Sequence, residues 1–124
     1  MFVEHRIRYP YPPGMGYWSI MAPDFVGWIL LAPLDLVGPE IEIGWRVMPA
    51  ARRRGYATEA ARCVLDHALN TLHLPQVVAD IDPENGPSLA VARKLGLRPT
   101  HPVNNYAGCT VMRYVAGPIG EADY

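Results

Sequence analysis

This chain of 124 residues has neither a membrane-length apolar run nor an excess of one charge. A helix that crosses a bilayer needs about 20 consecutive apolar residues, and no stretch approaches that. Lys and Arg number 11 against 12 Asp and Glu, a formal net charge of −1. No global field therefore draws the chain onto nucleic acid or an acidic membrane. Cysteine is scarce: Cys63 and Cys109 are the only two, and they match no metal-ligand spacing. They are expected to be reduced core thiols, with a disulfide or a reactive thiol as the alternatives. The start of the chain lacks the apolar stretch of a secretory signal and carries His5, Arg6, Arg8 and prolines instead, which predicts a cytoplasmic location. Also missing are Gly-x-x-x-x-Gly-Lys-Ser/Thr and Gly-x-Gly-x-x-Gly, so neither a nucleoside triphosphate nor a dinucleotide is the expected ligand.

What is present suits one globular domain over residues 1–124, since half the residues are apolar and 19% are charged. Thirteen prolines and eleven glycines punctuate it without forming a linker or a repeat. Residues 1–16, rich in proline and aromatics, read as an irregular arm, with the core over 17–115 and a polar tail over 116–124. Short strands are predicted at Tyr17–Met21 and Phe25–Ala32. Glu40–Met48 alternates cleanly, with Ile41, Ile43, Trp45 and Val47 on one side and Glu40, Glu42, Gly44 and Arg46 on the other. A helix follows from about Tyr56 to Leu72, with Ala57, Ala61, Val64, Leu65, Ala68, Leu69 and Leu72 as its apolar stripe. Val77–Ile81 is a strand bounded by prolines. A second helix runs from Pro87 to Leu95, with Asn85 placed to cap it and Gly96 to stop it. Two further strands are expected around 97–100 and 110–115. His101, Asn104 and Asn105 lie between them, in a polar loop or lining a pocket. The order implies an antiparallel meander, then a βαβ crossover that makes two strands parallel. The fold class is α/β, a mixed sheet of about six strands with helices packed on it.

The chemistry concentrates where the alternating strand ends, at Val47-Met48-Pro49-Ala50-Ala51-Arg52-Arg53-Arg54-Gly55-Tyr56-Ala57-Thr58. The first turn of a helix has unpaired N–H groups and the positive end of the helix dipole, so it attracts anions. Gly55 permits a close approach to the backbone, and arginines add donors matched to phosphate oxygens. By itself such a cluster is more often a solvated basic patch. A nucleic-acid-binding helix using Arg52–Arg54 is a further reading, but near-neutral charge and the strand between the helices argue against it.

Three segments in order resemble the GNAT acetyltransferase superfamily, particularly its branch of ribosomal-protein N-acetyltransferases. Arg52, Gly55 and Ala57 match Arg/Gln-x-x-Gly-x-Gly/Ala. Asn85-Gly86-Pro87-Ser88, followed by a helix ending Lys94-Leu95-Gly96-Leu97, is similar to a second motif. Ile41-Glu42-Ile43-Gly44-Trp45 is similar to Glu-Ile-Gly-Tyr. The resemblance implies a GNAT-like acyl-CoA N-acyltransferase fold and acetyl-CoA as co-substrate, with no metal. An amine would be the acceptor, a protein N-terminus or a small molecule, attacking directly in a ternary complex. It also implies roles. Backbone groups from about Arg53 to Thr58, through Gly55, Tyr56 and Ala57, would hold the pyrophosphate, with Arg52 and Arg54 adding charge. The Val47 N–H would point at the thioester carbonyl. Asn85 would hold the pantetheine arm or cap its helix, and Ser88 would lie near the sulfur.

An attacking amine must be neutral, yet a lysine amine of pKa ~10.4 is under about a thousandth neutral at pH 7. A carboxylate can take the proton, and Glu42 is the candidate, a structural strand carboxylate being the alternative. Glu40 is second, and Tyr56 and Tyr106 are further contributors. The resemblance has departures. Ala92 stands where many members have a tyrosine acid, which leaves Ser88 as the substitute. Arg53 stands at a usual glycine, so its loop is expected to differ or be strained. The further strand and two helices that members carry before the meander have no evident counterpart, which points to an exposed sheet face and a homodimer. A catalytically silent CoA-binding module is the second reading.

Overall fold

The computed structural model describes residues 2–6, 11–105 and 107–117. Seven strands form one sheet in the order β1-β2-β3-β4-β5-β7-β6. The strands are β1 (Phe2–Arg6), β2 (Gly16–Met21), β3 (Phe25–Pro33), β4 (Ile41–Val47), β5 (Val77–Ile81), β6 (Arg98–Asn104) and β7 (Thr110–Ala116). Helix α1 (Tyr56–Asp66) links β4 to β5, and α2 (Gly86–Leu95) follows β5. Strands β1 to β4 are an antiparallel meander, β4 and β5 are parallel, and β7 is antiparallel to both β5 and β6.

The sheet therefore has one strand more than the roughly six expected. The surplus strand is β1, inside the segment read as an irregular arm. Pairing supplies what local preference does not: Val3 lies opposite Ile20, and its side chain packs against the core. His101 and Asn104 likewise belong to strand β6 rather than a loop, while Asn105 caps the following turn through the Ala107 and Cys109 N–H groups.

Register divides the sheet into two faces. Trp18, Ile29 and Trp45 align across β2, β3 and β4, as do Gly16, Leu31 and Ile43. Ile29, Leu31 and Ile43 join Ala60, Ala61 and Val64 of α1, Ala79 and Ile81 of β5 and Ala92 of α2 in one core cluster, so both helices cover this face. The opposite face aligns Tyr17, Leu30 and Gly44, then Ser19, Trp28 and Arg46, and then Ala32, Glu42 and Val78.

Helix α1 runs on into a π-helical turn at His67–Thr71, close to the expected end at Leu72. There the His67 Nε2 lies 2.8 Å from the Gly14 carbonyl oxygen and its ring stands edge-on to Trp18. Both cysteines are free and exposed, not core thiols. Cys63 falls between the inward positions Ala61 and Val64 on α1, and Cys109 lies in the β6–β7 turn. Among the described residues no helix is long and apolar enough to cross a membrane.

Candidate active site

Strands β4 and β5 are joined by a single pairing, Glu42 with Val78. No further pair links them toward Val47 and Ile81. A cavity of about 720 Å³ lies beside this unpaired end of β4, lined by Trp28 of β3, Trp45, Arg46 and Val47 of β4, the loop before α1 with the first turn of that helix, and one side of α2 from Pro87 to Lys94. The backbone of β4 faces this gap. The Met48 N–H donates to the Val26 carbonyl at 2.8 Å. Because ladder bonds alternate sides along a strand, the Val47 and Trp45 amides turn away from β3 and toward the opening. The Val47 carbonyl accepts from the Arg52 Nε at 3.4 Å.

The loop from β4 makes one 3-10 turn at Pro49–Ala51 and reaches α1 through Arg52–Gly55. Gly55 has φ 79° and no side chain to cap the helix. The first helical bond runs from the Glu59 N–H to the Gly55 carbonyl. The Tyr56, Ala57 and Thr58 amides thus lack helical acceptors and point out of the helix start beside the cavity. A phosphate-sized anion suits them, because the dipole and the nearby arginines carry the matching charge. Arg53 has φ 65°, the left-handed conformation natural to the glycine it replaces.

Across the cavity, Asn85 caps α2 by accepting the Ser88 N–H at 3.2 Å. The Ser88 hydroxyl makes no hydrogen bond among the described residues and lies on the cavity wall. Gly96 ends α2 with φ 77°. The Arg62 Nη2 donates to the Lys94 carbonyl at 3.0 Å and ties the two helices together.

On the face away from the helices, Arg113 grips Asp80 with two hydrogen bonds of 2.8 and 2.9 Å and meets Glu40 at 3.5 Å. Glu42 lies beside this group. Burial raises its pKa above the ordinary carboxylate value, the charges of Asp35 and Asp80 raise it further, and Arg113 opposes them. A half-buried carboxylate that holds its proton more tightly than usual is better matched to proton transfer near neutral pH.

The cavity gathers Val47, Arg52, Arg53, Gly55, Tyr56, Ala57, Thr58, Asn85 and Ser88. Arg54 is exposed and outside its lining. Glu42 is also outside, farther back along β4, and Tyr106 lies outside the described residues. Trp28, Arg46, Val91 and Lys94 line the cavity without having been singled out from sequence. Arg46 was within reach, since it shares the alternating face with Glu42. Trp28 required knowledge of which strand lies beside β4.

Residues 2–98 match the family model described as acetyltransferase (GNAT) domain. An uncharacterized N-acetyltransferase, YnaD of Bacillus subtilis, is 40% identical over 57 residues, covering 46% of this chain and 34% of that protein. FsC-acetyl coenzyme A-N(2)-transacetylase of Aspergillus fumigatus is 37% identical over 93 residues, covering 68% of this chain and 40% of its own length. The matched stretches thus span well under half of these relatives. An acetyltransferase crystal structure from Agrobacterium tumefaciens superposes with a TM-score of 0.72 at 31% identity, over 86% of this chain and 63% of that one. RimJ of Mycobacterium smegmatis, in complex with CoA-disulfide, gives 0.71 at 25% identity, over 81% and 51%. With the family model matched over most of the sequence, on a sheet that opens between β4 and β5, the chain belongs to the GNAT acetyltransferase family.

Proposed function

We propose that this protein transfers an acetyl group from acetyl-CoA to a primary amine, on a small molecule or a protein N-terminus, by direct attack in a ternary complex. The observation that carries this reading is the cavity at the β4–β5 opening, with the free first turn of α1 on one side and Ser88 on the other. The amides of Arg53 to Thr58 hold the pyrophosphate, and Arg52 and Arg54 add positive charge. The pantetheine arm takes the place of a missing neighbour strand and bonds to the Val47 and Trp45 backbone groups. Acetyl-CoA supplies the activated acyl group.

The Val47 N–H then donates to the carbonyl oxygen on which negative charge grows. Glu42, reached through a water, accepts the proton that the amine loses as its nitrogen bonds to the acyl carbon and the carbon–sulfur bond breaks. The Ser88 hydroxyl donates to the departing sulfur. CoA thiol, with a pKa near the ~8.5 of cysteine, leaves without a strong acid. Residues 1–124 are read as one domain, acting in the cytoplasm as a homodimer, without metal, nucleic acid or membrane as partner.

A catalytically silent CoA-binding module is the second reading, favoured by Ala92. It is fully buried where many GNAT enzymes place a tyrosine acid. A thermal-shift titration with acetyl-CoA, CoA and ATP tests the shared part. Acetyl-CoA at 100 times its dissociation constant should add about 2.7 kcal/mol, several degrees in Tm, with ATP inert. Folded protein that shifts with neither CoA species would remove both readings. A shift without acyl transfer to any amine would leave the silent one.

A further inference from the structure

On the face away from the helices, β4 presents Glu42, Gly44 and Arg46 in a row. Same-face neighbours on a strand stand roughly 6.6 Å apart, so the α-carbons of Glu42 and Arg46 are about 13 Å apart. Glu42 and Arg46 thus bracket Gly44 on this face with opposite charges. The space above Gly44 is open: a Cβ there would touch only the Leu30 Cβ, at 3.9 Å. Leu30 lies opposite Gly44 and Trp28 opposite Arg46 on β3, so one side of this shelf is apolar. Tyr17 braces Trp28 edge-on at a ring separation of 5.4 Å, and Tyr11 stands behind it at 6.2 Å.

Two arginines on this face, Arg46 and Arg113, differ in what they are free to do. Arg113 is committed to Asp80 and Glu40. Arg46 is exposed and makes no ion pair among the described residues, and with Trp28 it lines the mouth of the cavity. A guanidinium at that mouth repels a ligand whose only charge is positive and attracts one that carries a carboxylate.

We propose that this shelf is the acceptor subsite and that the acceptor is a free amino acid. Its ammonium group faces Glu42, its carboxylate faces Arg46, and its side chain rests against Leu30 and Trp28. The inference rests on the acetyltransferase reading and narrows its acceptor class. In the transfer, the α-amino nitrogen bonds to the acetyl carbon, the carbon–sulfur bond breaks, and CoA thiol leaves. Of the two protons that the ammonium loses, one passes through Glu42 to solvent and the other ends on the departing sulfur by way of solvent and the Ser88 hydroxyl, which gives CoA thiol and an N-acetyl amino acid.

The test is a steady-state comparison of leucine, leucinamide and isopentylamine as acceptors with acetyl-CoA, repeated for phenylalanine, its amide and phenethylamine. The amino acids should exceed their carboxyl-free partners about 10- to 100-fold in kcat/KM, the range of one charge-assisted contact. Arg46→Gln should erase that preference with the acetyl-CoA KM unchanged, and Arg46→Lys should restore part of it. Gly44→Ala, which adds a methyl to the shelf, should lower acceptor kcat/KM while the protein keeps its Tm. Equal rates for acids, amides and amines would overturn the proposal and leave the acetyltransferase reading standing. So would Arg46→Gln raising the acetyl-CoA KM and sparing the preference. Failure of the wild-type protein to bind acetyl-CoA would instead remove the reading beneath it.

Discussion

Gly27→Ala should damage stability and catalysis together, because Gly27 sits where β3 meets the open end of β4. It pairs with Val47, and its α-carbon is buried. A Cβ there would overlap the Arg46 carbonyl oxygen and stand 2.9 Å from the Val47 Cα, where ordinary contact begins at 3.4 Å. All of these neighbours are backbone, so no side chain can swing aside. The strands must part by about 1 Å to clear the carbonyl oxygen, a strain of the size that overpacking imposes, about 1–3 kcal/mol. For a domain of this size that is a fall in Tm of roughly 4–12 °C. The displaced atoms belong to Arg46 and Val47, the residues proposed to face the acceptor and the thioester, and a misplacement near 1 Å can cost about 10²-fold in rate. A melting curve and kcat/KM on the purified variant read both effects. For the melting curve Gly44→Ala is the control, having only the Leu30 Cβ at 3.9 Å to meet. A Gly27→Ala protein with wild-type Tm and turnover would refute the packing argument.

Glu42→Gln should lower kcat/KM by about 10²- to 10⁴-fold with acetyl-CoA binding intact, the usual worth of a general base. Burial, followed by Asp35 and Asp80, raises the Glu42 pKa, so the acid limb of the wild-type pH–rate profile should lie above the ordinary carboxylate range. For a group raised on folding, the stabilising contribution is complete below the unfolded pKa and is lost as pH rises through the folded one. Glu42→Gln should therefore be more stable than wild type at neutral pH, a difference that shrinks in acid; urea melts with no gain at neutral pH would contradict this. Arg53→Gly should stabilise the protein by about 1 kcal/mol, since φ 65° is costly for any residue with a Cβ. An unchanged or lower urea midpoint would show that the arginine is not strained there.

Much of the fold was legible because its signals are local. The alternation of Ile41 to Val47 needs only a strand's two-residue period, and the inward stripe of α1 only a helix's 3.6-residue period. Asn85 and Gly96 mark the ends of α2 through hydrogen bonds and dihedrals within a few residues of themselves. The same locality makes the uncapped first turn of α1 readable from the sequence. The Phe2–Arg6 strand escaped because its stability comes from Ile20 and its neighbours on β2, some fifteen residues on. The exposure of Cys63 escaped because Ala60, Ala61, Val64 and Leu65 take the buried positions around it.

By itself, then, the sequence determined the element order from β2 onward, the caps of α2, the basic turn before α1 and the family. Tertiary structure decided which distant groups meet. Trp28 reaches the cavity only because β3 pairs with β4 in one register, and Arg113 neutralises Asp80 only because β7 lies between β5 and β6. A slip of one residue in either pairing would turn those side chains to the other face. The opening between β4 and β5 also belongs to tertiary structure, since it is set by where two strands stop pairing and not by a residue in either one.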